Sequence, residues 1–127
     1  MYHLWYNHIR PMSHNLKKIS AVFYRTPNGR EIVRAWLKDL PKSDRFEIGK
    51  DIATVEYGWP IGMPICRAMG AGLWEVRSTL SSHRIARVIF CITDGQMVLL
   101  HGFIKKDRKT PGENLKISKQ RMKEVVS

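Results

Sequence analysis

Two apolar runs, residues 83–93 and 97–104, are separated by Asp94-Gly95, and this pair constrains the fold more than any other feature. An Asp-Gly step between strand-forming runs predicts a two-residue hairpin turn, because such turns need positive φ, which these residues tolerate. A long hairpin cannot stand alone; both its faces need cover from other strands or helices. Residues 73–78 supply another strand, joined to the hairpin through Ser81-Ser82. Residues 18–24 supply a fourth, with Ile19, Ala21 and Phe23 alternating with polar or smaller side chains.

Between these strands the apolar period changes. Thr26-Pro27-Asn28-Gly29 breaks the first strand, and residues 30–39 carry Val33, Trp36 and Leu37, with Leu40 following, on one helical face. Pro41 separates this helix from a second one that begins near Ser43 and stops at Gly58. The second helix is expected to turn Phe46, Ile48, Ile52 and Val55 toward a core. Residues 58–72 contain Gly58, Pro60, Gly62, Pro64, Gly70 and Gly72, and read as an irregular crossing loop. A last helix covers 111 to about 125, with Thr110 as N-cap, Pro111 at the first position and Glu113 at the third. Its stripe is Leu115, Ser118, Met122 and Val125. The expected order is β-α-α-β-β-β-α: a small α+β domain over residues 16–127, with an antiparallel-rich twisted sheet, a helical hairpin and a C-terminal helix. Residues 1–15 show no stable period and are expected to form a flexible leader; Met12 is an alternative start.

Charge narrows the function. The 127 residues suffice for one modest core, and their formal net charge of +11 points to an acidic partner, either nucleic acid or an acidic protein. Lys105, Lys106, Arg108 and Lys109 cluster where the last strand ends and the last helix begins, which suits a phosphate backbone or, more blandly, a solubilising loop. Period two places Leu73, Glu75 and Arg77 on one face of their strand and Trp74 and Val76 on the other. Arg87 shares a face with Ile85, Ile89 and Cys91, whereas Arg84 shares the opposite one with Ala86, Val88 and Phe90. An arginine inside such a strand has two readings. It forms a salt bridge, for which Glu75 is available to Arg87, or it presents a planar fork to phosphate, together with Arg77 and the Lys105/Lys106 pair. His101 likewise is either a general base or a strand histidine hydrogen-bonded within the fold.

Other classes recede. Cys66 and Cys91 form no CxxC and no Cys/His metal spacing, so reduced core thiols are expected. Asp and Glu are scattered singly, which argues against a two-metal nuclease; no metal and no cofactor are expected. No apolar run approaches the roughly 18 residues of a membrane span, and no signal peptide is convincing, so a cytoplasmic protein without membrane contact is expected.

Three strings carry a family resemblance: Gly-Leu-Trp-Glu-Val-Arg, Arg-Ile-Ala-Arg-Val-Ile-Phe, and Val-Leu-Leu-His-Gly-Phe-Ile-Lys-Lys-Asp-Arg-Lys-Thr-Pro. Over roughly residues 18–125 the chain resembles the RelE/ParE toxin superfamily, and more narrowly its HigB-like branch of phage-derived Gp49-like proteins. The resemblance implies the toxin of a type II toxin–antitoxin system, a ribosome-dependent, metal-independent mRNA endoribonuclease. In such enzymes a ribose 2′-OH attacks the adjacent phosphate, leaving a 2′,3′-cyclic phosphate and a 5′-OH. Carried onto this chain, Arg77 and Arg87 would stabilise the scissile phosphate. Lys105 or Lys106 would add charge or protonate the leaving oxygen, and His101 is the nearest base. Arg84, Arg108 and Lys109 would contact RNA. The implied partners are the ribosome with its mRNA and a helix-turn-helix antitoxin from an adjacent gene, through which alone operator DNA would be met. The tyrosine or histidine that some relatives carry near the C-terminus has no counterpart after His101. Two other readings remain open: a ParE-like inhibitor of DNA gyrase, and a non-enzymatic basic phage-type protein that binds nucleic acid.

Overall fold

In the computed structural model Asp94 and Gly95 both take positive φ (52° and 74°), with Thr93 and Gln96 paired across them. This is the conformation of a type I′ hairpin turn. The structure describes residues 16–105 and 112–126. The leader at 1–15, the cations Lys106, Arg108 and Lys109, and the Thr110-Pro111 cap lie outside them. The elements in order are β1 (Ser20–Phe23), α1 (Ile32–Lys38), α2 (Lys42–Gly58), β2 (Cys66–Gly70), β3 (Leu73–Thr79), a short 3₁₀ turn (Ser81–His83), β4 (Ile85–Thr93), β5 (Gln96–Lys105) and α3 (Gly112–Val126).

The strands form one mixed sheet in the order β1-β5-β4-β3-β2, antiparallel throughout except where β1 runs parallel to β5. One strand was not expected: β2 lies inside residues 58–72, which read as a loop. Its five residues, Cys-Arg-Ala-Met-Gly, have no apolar alternation of their own. They are strand because the free edge of β3 pairs them, with Cys66 opposite Val76 and Arg67 opposite Glu75.

Each face of the sheet has its own core. On one side Ala21, Phe23, Val76, Val88, Phe90 and Leu99 pack against Val33 and Leu37 of α1 and Ile48, Ile52 and Val55 of α2. Phe46, expected on that same stripe, is 49% exposed. Two residues on a helix are about 200° apart, so Phe46 and Ile48 cannot share a face. The buried member of the first turn is instead Asp44. Glu56 closes this side: its Oε2 accepts the Ala21 N–H at 2.7 Å and pairs with Lys17 at 3.2 Å. On the other side Leu73, Ile89, Cys91, Val98 and Leu100 meet Leu115, Met122 and Val125 of α3.

A bulge in β5 decides which residues look at which side. Ile89 pairs with His101 but Phe90 pairs with Leu99, leaving Leu100 as an extra residue. Leu100 and His101 therefore both point toward the α3 side, and Phe103 and Lys105 follow His101. Gly102 and Ile104 turn to the helical hairpin, where a Cβ on Gly102 would collide with the Trp36 ring. Glycine is required there by the close approach of α1.

Candidate functional site

The bulged register lines up three rungs of side chains on the α3 side of the sheet, running outward from the part α3 packs against. The first rung runs Arg67, Glu75, Ile89, His101 across β2, β3, β4 and β5; the second runs Arg77, Arg87, Phe103; the third runs Thr79, Ile85, Lys105. Neighbouring strands are about 4.8 Å apart and rungs about 7 Å apart, so these side chains form one surface. Among the described residues it carries four cations, Arg67, Arg77, Arg87 and Lys105, against the single carboxylate of Glu75.

Glu75 organises the cations. It is fully buried, and its carboxylate accepts from Arg87 Nη1 at 3.1 and 3.4 Å while Arg67 Nη2 stands 3.5 Å away. Arg87 is only 5% exposed, so among the two readings for it the salt bridge is formed. Arg77 differs from Arg87 in being half-buried, while its Nε, like those of Arg67 and Arg87, is shut off from solvent without a hydrogen-bond partner. No ion pair holds Arg77 among the described residues. One carboxylate thus opposes three guanidinium groups, and the uncompensated charge lies toward the half-buried rim formed by Arg67 and Arg77. A planar donor set of this sign and density binds phosphate oxygens.

His101 joins the first rung as a tethered group. Its Nε2 lies 2.6 Å from Asn114 Oδ1 on α3, and Phe103 stacks beside it with ring centroids 5.6 Å apart. Asn114 in turn holds the buried Ser118, whose hydroxyl donates to its carbonyl at 2.8 Å. Burial lowers the His101 pKa, the Asn114 bond works the other way, and Arg121 adds to the lowering. The ring is accordingly neutral near pH 7, the form a base needs, but one nitrogen is already occupied.

Other candidates fall away from this surface. Arg84 sits on the opposite side, where its guanidinium grips Asp44 of α2 at 2.8 and 3.1 Å and the Ser81 carbonyl at 3.0 Å. Arg121 donates to the Leu100 carbonyl at 2.7 Å and lies over the Tyr24 ring. Trp74 and Trp59 pack edge-to-face at 4.8 Å on the helical-hairpin side. Burial pushes the Cys66 thiol up to about 11 and also raises Cys91, so neither supplies a thiolate. Among the described residues no three His, Cys, Asp or Glu side chains gather where a metal ion could be held. Likewise no described helix is long and apolar enough to cross a membrane.

Two members of the surface were missed by sequence reasoning. Arg67 needed β2 to be recognised. Phe103 needed only the period-two count onward from His101, which puts it beside Arg87.

A search of curated proteins gives no match to the chain. A family model does match residues 35–123, which include the end of α1, all of α2 and every strand of the three rungs. Those residues place the chain in the phage-derived Gp49-like family, a RelE-type, toxin-like family.

Proposed function

We propose that the protein is the toxin of a type II toxin–antitoxin pair and acts as a ribosome-dependent mRNA endoribonuclease. The observation that carries this reading is the under-compensated arginine surface of Arg67, Arg77 and Arg87 around Glu75, with Lys105 one rung away. Cleavage by an internal 2′-OH asks the protein for charge stabilisation above all, since negative charge builds on the phosphorane oxygens as the 2′-oxygen attacks and passes to the 5′-oxygen as the P–O5′ bond breaks. Arg77 is the group free to provide it, and Arg67 adds field from the rim. Lys105 is placed to protonate the departing 5′-oxygen. Arg87 works through Glu75, holding that carboxylate away from the substrate. His101 can take the 2′-OH proton only through the nitrogen that Asn114 leaves free. An antitoxin with an acidic segment would complement the same surface.

Induced expression in a bacterial host, followed by primer extension on an abundant transcript, tests this reading. Growth arrest with translation-dependent cuts, both abolished in Arg77→Ala, is the expected result. Arrest with intact messages would replace it with a gyrase-type target, and no arrest would leave a nucleic-acid-binding protein.

A further inference from the structure

At the outer end of the arginine surface β2 stops, and the edge of β3 beyond it is bordered by the chain at Pro64 and Ile65. The Ile65 carbonyl accepts the Arg77 N–H at 2.8 Å. A pocket of about 240 Å³ opens there, lined by Asp51, Pro64, Ile65, Arg77, Thr79 and Ile85. It reaches around the sheet edge, because Asp51 comes from α2 on one side and Arg77 from the phosphate-binding surface on the other. The pocket joins a carboxylate, a hydroxyl, a guanidinium without an ion pair among the described residues, and apolar walls in a small space. Pockets for drug-sized ligands start at about 300 Å³, so this one suits a smaller planar fragment.

We propose that this pocket receives one unpaired nucleobase of the RNA whose phosphate lies on Arg77, and that guanine is the base it fits. The inference rests on the RNA-cleaving reading above and adds a sequence preference to it. Pro64, Ile65 and Ile85 supply the apolar contact for the ring. Asp51 supplies acceptors: a carboxylate has about four lone-pair sites, and the Ser78 hydroxyl uses one of them. Guanine offers its ring N–H and amino group side by side, which a carboxylate can take in a bidentate way; uracil offers no amino group. Burial raises the Asp51 pKa, partly opposed by Ser78 and Lys50, which marks a carboxylate short of donors in the free protein.

The test is a ¹⁵N NMR titration of the full chain with 5′-GMP, 5′-UMP and ribose 5-phosphate. GMP should bind at least about tenfold tighter than UMP, the ratio one bidentate pair supports. Its shifts should centre on Asp51, Thr79 and Ile85. Asp51→Asn should collapse the GMP-to-UMP ratio toward one. Ile85→Trp, which fills the pocket and leaves Asp51 in place, should do the same. Equal binding of GMP and UMP by the wild type, or a ratio that survives both substitutions, overturns the base pocket while ribose 5-phosphate binding keeps the phosphate surface intact. Failure of all three ligands to bind overturns both.

Discussion

Arg84 and Arg87 stand three residues apart, yet their carboxylate partners divide the molecule into a settled side and an unsettled one. Arg84 meets Asp44 through two nitrogens, one charge against one, with its side chain 32% exposed. Arg87 meets Glu75 through one nitrogen, is almost wholly enclosed, and shares that carboxylate with Arg67 while Arg77 stands opposite it unpaired. The first pair balances and asks nothing of a ligand. The second is one anion short of balance twice over, and a phosphate is the kind of group that restores it.

The sharpest way to break this contrast is Glu75→Ala. It strands an enclosed guanidinium and should cost about 3–5 kcal/mol, read as a lower urea midpoint. An unchanged midpoint would mean that Arg87 reaches water without help. Arg77→Ala should invert the pattern: RNA cleavage falls about 100-fold, as for loss of one charge-stabilising donor, while the midpoint hardly moves. A large stability loss there would reveal a structural partner for Arg77. His101 comes next. Its folded pKa lies below the unfolded value of about 6.5, so the unfolded chain binds its proton more tightly. Stability should be complete at higher pH and decline as pH falls below about 6.5, by no more than about 1.4 kcal/mol per pH unit. His101→Gln should flatten that decline, and urea midpoints collected from pH 8 to pH 5 would show whether it does. Arg84→Ala should keep cleavage and, although it leaves the buried Asp44 unpaired, lower the midpoint less than Glu75→Ala, because Arg84 stands in the more exposed pair. Loss of cleavage in that variant would move RNA contacts to the helical-hairpin side.

The same contrast shows what a sequence can disclose. Period two put Glu75 and Arg77 opposite Trp74 on one strand and Arg87 opposite Arg84 on the next. The sheet keeps Glu75, Arg77 and Arg87 together on one side with Trp74 on the other, and Arg84, just ahead of β4, turns to Asp44. The carboxylate for Arg87 was legible because it stands on the neighbouring strand. Asp44, the partner of Arg84, is 40 residues away on a helix, and no local pattern connects the two. Arg67 stayed hidden for a different reason: β2 exists through the edge it pairs with, not through its own residues. The β5 bulge was invisible too, because Leu99, Leu100 and their neighbours are apolar whichever way they turn.

That bulge has a consequence for how such a chain can change over time. It works as a phase shifter: before Leu100 the strand is written in one frame, which serves the two cores, and after it in another, which serves the charged surface. Substitutions can therefore vary one half of β5 without disturbing the other. Loss of the extra residue Leu100 would only remove the bulge, because Leu99 and His101 would then alternate regularly and Phe103 and Lys105 would keep their side. One residue inserted after Gly102 has no such remedy: it would swing Phe103 and Lys105 to the Trp36 side, so the strand tolerates new letters far more readily than added length.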